Sequence, residues 1–129
     1  MKNINKLIIL GFYLANLILI IAYIYPGSIV GCYVYDDCLI QPQITKDFII
    51  SSNHFYALTA LSTLGIFTYR NTKKIKFLII YLLLLSIILE LLHIIIPIRI
   101  FEWEDLIGNI LGVVLVITIY KIKGKYVQN

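Results

Sequence analysis

The stretch Leu89–Gly112, LELLHIIIPIRIFEWEDLIGNILG, decides the fold. It joins two apolar runs and gathers Glu90, His93, Arg99, Glu102, Glu104, Asp105 and Asn109 between them. Four of the chain's seven acidic residues and one of its two histidines lie here. Upstream, residues 77–96 are dense in Leu and Ile, and Pro97 ends or kinks that run because it lacks an amide hydrogen and restricts the residue before it. Downstream, residues 106–120 are apolar again. Two apolar runs separated by the short linker 98–105 read as neighbouring membrane spans that cross in opposite directions.

Composition supports lipid as the solvent. Of 129 residues, 60% are hydrophobic and only 14% charged, with a mean hydropathy of +0.92. A soluble domain carries about 25% charged residues and would have no way to hide this much apolar surface. The length excludes a multi-domain enzyme and a two-repeat transporter in one chain. The net charge of +4 does not indicate nucleic acid. The lysines flank apolar runs and form no basic patch interleaved with aromatics.

Working outward, residues 7–25 form an uncharged run after Lys2 and Lys6 and end at Pro26-Gly27. Crossing ~30 Å of hydrocarbon takes ~20 helical residues. A secretory signal core is shorter, ~7–15 residues, and no small-x-small site follows this one, so the run reads as a retained first span. Residues 26–47 form the longest segment outside the membrane. They hold Cys32, Cys38, Asp36, Asp37 and Asp47, and the alternation in YPGSIVGCYVYDDC suggests a small hairpin. Residues 48–69 form the second span, with Ser52, Asn53 and His54 near its start available to cap it. RNTKKIK at 70–76 is a tight basic turn.

The expected architecture is an all-α membrane protein. It forms a single transmembrane domain over residues 1–129, an up-down bundle of four transmembrane helices at about 7–25, 48–69, 77–96 and 106–120. With a cytoplasmic N-terminus, the inner segments hold nine basic residues and no acid. The outer segments hold Lys46 and Arg99 against six acids. The positive-inside rule therefore places both termini in the cytoplasm and the 26–47 loop outside, in a plasma (cell inner) membrane. Cys32 and Cys38 then face an oxidising space, which favours a disulfide over free or reactive thiols. Two cysteines without a nearby histidine make a poor metal set, so no metal is expected, and no cofactor motif is present.

This topology brings His54, Glu90, His93, Arg99, Asp105 and Asn109 to one membrane face. Glu90 and His93 are i and i+3, and Asp105, Asn109 and Gly112 are i, i+4 and i+7, so each set shares a helix face. A carboxylate about 10 Å below the Pro97 end costs a few kcal/mol unless Arg99, His93 or His54 pairs with it or a cavity solvates it. Gly108 and Gly112 permit close helix approach, within the chain or to a homo- or hetero-oligomeric partner. The bland alternative is that the polar groups are glue between helices, with Asp105 a helix cap and Glu102, Glu104 and Trp103 interface residues.

Glu90-x-x-His93, Pro97-x-Arg99 and Asp105-x-x-x-Asn109-x-x-Gly112, with His54-Phe55 upstream, resemble the VanZ-like membrane proteins. The resemblance covers about residues 52–116. In that family Gln commonly stands at the position of His93, an acid at that of Ile50 and Gly at that of Val116. The family is named for a protein linked to teicoplanin resistance, so the resemblance implies an antibiotic-resistance-like role in the bacterial cell envelope. Two functions fit. One is an outer-face site that binds, or acts on, a lipid-linked or lipid-anchored envelope precursor among the membrane lipids. Arg99 there takes a phosphate or carboxylate, and Glu90 with a histidine moves protons. The other is a non-catalytic packing or assembly subunit. No nucleophile elbow is present, so no enzyme class is assigned. Ion conduction fits poorly, because the inner half of each span lacks ionisable residues.

Overall fold

A computed structural model describes residues 2–47 and 49–127. It contains α1 (Lys2–Ile24), α2 (Ile29–Val34), α3 (Ser52–Tyr69), α4 (Ile75–Leu92) and α5 (Trp103–Val127), with no strand among the described residues. Among the described residues, three helical segments are long and apolar enough to cross a membrane: Lys6–Ile24, Ile75–Leu92 and Trp103–Gly124. α3 has 18 residues, about 27 Å of helix. It carries no Asp, Glu, Lys or Arg but is rich in small polar side chains, with Ser52, Asn53 and His54 in its first turn and Thr59, Ser62, Thr63 and Thr68 further along.

α3 is the hub of the fold. It packs against α1, α4 and, most extensively, α5. The α3–α5 contact is close because Gly108 and Gly112 carry no side chain. A Cβ at Gly108 would lie 2.8 Å from the Ser51 carbonyl oxygen, and one at Gly112 would lie 2.6 Å from that of Phe55. The helix that uses this glycine pair is α3 of the same chain. Below the glycines, Leu58 and Leu61 meet Leu82, Leu85 and Leu89 of α4, and Val113 and Val116 of α5.

α4 is equally apolar on both faces. Leu78, Leu82, Leu85 and Leu89 point inward at helical spacing, whereas Ile80, Leu84, Ile88 and Leu91 are exposed. An outer surface of this kind has a stable home only in acyl chains, where packing and not hydrophobic burial holds helices together. α1 is covered least of all, with Leu7, Leu14, Leu17 and Ile18 at least half exposed. Its cross-links are polar. The hydroxyls of Tyr13 and Tyr69 lie 2.8 Å apart, and the Tyr81 hydroxyl donates to Asn16 Oδ1 at 2.7 Å.

Three expectations change. The 26–47 loop forms no hairpin. Ser28 instead caps the short α2, its Oγ accepting from the Gly31 amide at 3.0 Å. Cys32 is disulfide-bonded to Cys38. α4 stops at Leu92, well before Ile96. The amides of Ile94 and Ile95 donate three residues back, to Leu91 and Leu92, so the chain tightens and leaves the helix ahead of Pro97. Glu90 therefore sits in the last turn of α4, not far inside a span. α5 begins at Trp103, earlier than residue 106. Phe48, where the second span was expected to begin, lies outside the described residues.

Candidate functional site

The C-terminal ends of α1 and α4 and the N-terminal ends of α3 and α5 meet at one end of the bundle. Glu90 is the centre of that meeting point and is fully buried, as is Asn109, while His93 is 2% exposed. Glu90 Oε1 accepts from the Glu102 amide at 3.2 Å and faces His93 Nδ1 at 3.2 Å. The other ring nitrogen of His93, Nε2, lies 3.1 Å from the Tyr23 carbonyl oxygen, which only accepts, so Nε2–H donates to it. The Nδ1–Oε1 contact then needs one further proton, carried by the ring or by the carboxyl.

Glu90 Oε2 has a different neighbour. It lies 3.6 Å from His54 Nδ1, and neither atom has a hydrogen-bond partner among the described residues. His54 Nε2 lies 3.5 Å from Asp105 Oδ2. His54 thus sits between a fully buried carboxylate and one that is 16% exposed. An imidazole so placed can relay a proton between the interior and the cavity beside Asp105. The rings of Tyr23 and His93 stack with centroids 5.8 Å apart. The Tyr23 hydroxyl donates to Asn109 Oδ1, whose Nδ2 is buried without a partner among the described residues.

Arg99 does not pair with Glu90. Its Nη2 donates to Ala22 O at 2.9 Å and its Nε to Tyr25 O at 3.2 Å, so it caps the end of α1, where free carbonyls carry partial negative charge. It makes no ion pair among the described residues. Burial draws its guanidinium below the ordinary value, opposed by the charges of Asp105 and Glu90. The turn that aims it contains Ile98 at φ 68°, a left-handed conformation that costs a β-branched residue about 1–3 kcal/mol. The bonds from Arg99 to α1 hold it there.

The outer loop forms a wall. Asp47, and neither Ser52 nor Asn53, caps α3, its Oδ1 accepting from the Ser52 amide at 2.7 Å. Asn53 ties the loop to α3, accepting from the Ile44 amide at 2.9 Å and donating to Pro42 O at 2.7 Å. Between these walls lies a cavity of about 390 Å³, lined by Asp47, His54, His93, Arg99, Glu102 and Asp105 among others. A larger, mainly apolar groove of about 700 Å³ lies at the opposite end, between Arg70 and Lys123.

All six side chains singled out in the sequence meet here. Tyr23 carries no distinguishing signal in the sequence, because a tyrosine at the end of a span reads as an interface aromatic; in the fold it is buried, as is Phe12 of the same helix.

Glu102 gives a simple electrostatic test. Burial, and then the neighbouring Asp105, Glu104 and Glu90, push its carboxyl above the ordinary value. The folded state therefore holds the proton more tightly than the unfolded state, and this residue lowers stability as pH rises past the ordinary carboxylate range. Glu102→Gln is expected to raise the melting temperature at neutral pH and leave it unchanged at acid pH, as read by thermal unfolding in detergent.

Three apolar helices of membrane length joined to a polar cavity at one bundle end define a small helical membrane protein. The family model described as VanZ/LLP1 matches residues 11–124. The chain belongs to the VanZ/LLP1 family. No curated protein and no solved structure matches it.

Proposed function

We propose that this is a multi-pass plasma-membrane protein whose extracytoplasmic cavity binds the polar headgroup of a lipid-linked or lipid-anchored envelope molecule. α1, α3, α4 and α5 cross the membrane, with both termini cytoplasmic. Nine of the eleven basic residues belong to the segments away from the cavity, and all seven acids to the cavity end, which supports that orientation.

The observation that carries the reading is Arg99. It is a half-buried cation with no acidic partner among the described residues, and it lines the cavity at the end of three lipid-facing helices. A guanidinium at such a boundary recognises phosphate or carboxylate by paired donors. The ligand's hydrocarbon stays in the bilayer while its head enters the cavity. A resistance-like role in the envelope would follow from sequestering or altering such a molecule.

The test is thermal unfolding of purified protein with polyprenyl phosphate, against the matching polyprenol. A ligand that binds only the folded state adds about 2.7 kcal/mol of stability at 100 times its Kd. The phosphate is expected to raise the melting temperature of wild type but not of Arg99→Ala, and the polyprenol to do nothing. Equal shifts for both lipids, or no shift in a well-folded wild type, would sink the reading.

A further inference from the structure

The geometry points to a divalent transition-metal site formed by His54, Glu90 and Asp105. It deepens the headgroup reading, on which the ion's role rests, although the ion's binding does not. One ligand atom from each residue lies within 4.8 Å of the other two. The three come from α3, α4 and α5, so the set forms only on folding. The sequence-based expectation was of no metal; the proposed site departs from it because the fold brings together three side chains from separate helices.

Two further observations favour a cation. Glu90 is fully buried, yet its Oε2 accepts no hydrogen bond, and it faces a ring nitrogen of His54 that also lacks a partner. A buried acceptor left idle is costly, and a carboxylate more so. At 3.6 Å and 3.5 Å the contacts to His54 are too long for good hydrogen bonds. Asp47, Glu102 and Asp105 also line the cavity against the single permanent cation Arg99. A phosphate headgroup entering that lining meets more negative than positive charge. A divalent ion offsets two of those negative charges and so lowers the barrier to an anionic headgroup.

Bonds of about 2.1 Å in a tetrahedral shell hold ligand atoms about 3.4 Å apart. With the ligand atoms within 4.8 Å of one another, the widest pair must close by up to about 1.4 Å, a shift within reach of a rotamer change of Asp105, which is the most exposed of the three. The other oxygen of Glu90 is oriented by the Glu102 amide, the outer-shell support that ligating carboxylates usually have. One imidazole with two carboxylates suits Zn²⁺ or Mn²⁺ better than Mg²⁺, which prefers oxygen donors alone. Three protein ligands leave a coordination position for water or a phosphate oxygen from the cavity.

The experiment uses the full chain in detergent, without lipid. The protein is stripped with chelator and offered ZnCl₂, MnCl₂ or MgCl₂. Bound metal is counted by elemental analysis, and Co²⁺ substitution is read by visible absorption. Wild type is expected to retain about one Zn²⁺ or Mn²⁺ per chain, to melt higher with it, and to give a Co²⁺ spectrum. Asp105→Asn and His54→Gln are expected to lose at least tenfold in affinity. Both keep side chains of similar size, so the test survives if Glu90→Gln does not fold. No retention by a folded wild type, retention of Mg²⁺ alone, or equal retention by both variants overturns the site. Ion binding with no effect of polyprenyl phosphate would leave the metal site standing and remove the headgroup reading. Lipid stabilisation that persists in chelator, with no ion retained, would do the reverse.

Discussion

Glu90→Ala is expected to lose about 3–5 kcal/mol of stability in detergent, the range that follows when one member of a buried polar pair is removed. The size follows from what the carboxylate touches. Oε1 accepts from the Glu102 amide and pairs with His93, and Oε2 stands over His54. Removing it leaves that amide and two imidazoles without their carboxylate, and it unties the 93–102 turn from α4. Glu90→Gln is expected to lose far less, because an amide oxygen still accepts from Glu102. The two variants separate structure from chemistry. If Gln restores the melting temperature but not phosphate-dependent stabilisation, the charge serves ligand binding. A melting temperature for Glu90→Ala close to wild type would show that this carboxylate does not tie the bundle end together.

Gly112→Leu is the second large effect, expected to cost about 1–3 kcal/mol, as overpacking does. The first added carbon already meets the Phe55 carbonyl oxygen at 2.6 Å and the Thr59 amide nitrogen at 3.0 Å. Both are backbone atoms of a helix and do not move aside as a side-chain tip would. α5 must tilt away from α3, which also widens the gap between His54 and Asp105. The control is Gly124→Ala on the same helix, where an added Cβ meets nothing within 4 Å. It is expected to match or slightly exceed wild type, since Ala favours helix over Gly by about 0.8–1.0 kcal/mol. Parallel thermal melts decide it, and equal behaviour of the two glycines would mean that the close α3–α5 approach contributes nothing.

The long helices are readable because an uninterrupted apolar run bracketed by lysines is stable as a helix in lipid and as little else. Glu90, His93, Asp105 and Asn109 are readable for the complementary reason: polar groups inside such runs stand out, and i, i+3 and i, i+4 spacing puts them on shared faces. What was not legible depends on tertiary context. Of the three partners that the sequence offers Glu90, the fold supplies His93 at 3.2 Å, whereas Arg99 reaches the carbonyls of Ala22 and Tyr25, which any sequence would supply. The end of α4 was placed at Pro97 by the rule for that residue, but the chain leaves the helix a turn earlier, where the Glu102 amide and His93 converge on Glu90. The apparent alternation near Cys32 gave way to α2, because the Ser28 cap and the ring closed by Cys38 impose a tight local turn. Topology puts His54, Glu90 and Asp105 at one membrane face, but that His54 lies 3.6 Å from Glu90 and 3.5 Å from Asp105 depends on helix packing that no spacing encodes.

α1 meets the cavity largely through main-chain oxygens. Ala22 and Tyr25 hold Arg99, and Tyr23 holds His93 through its carbonyl as well as Asn109 through its hydroxyl. A carbonyl is the same whichever side chain follows it. Selection acting on the cavity would therefore constrain where α1 ends while leaving most of its letters free to drift. The contribution of this helix is a matter of length and register, and it would leave little trace in a comparison of residues position by position.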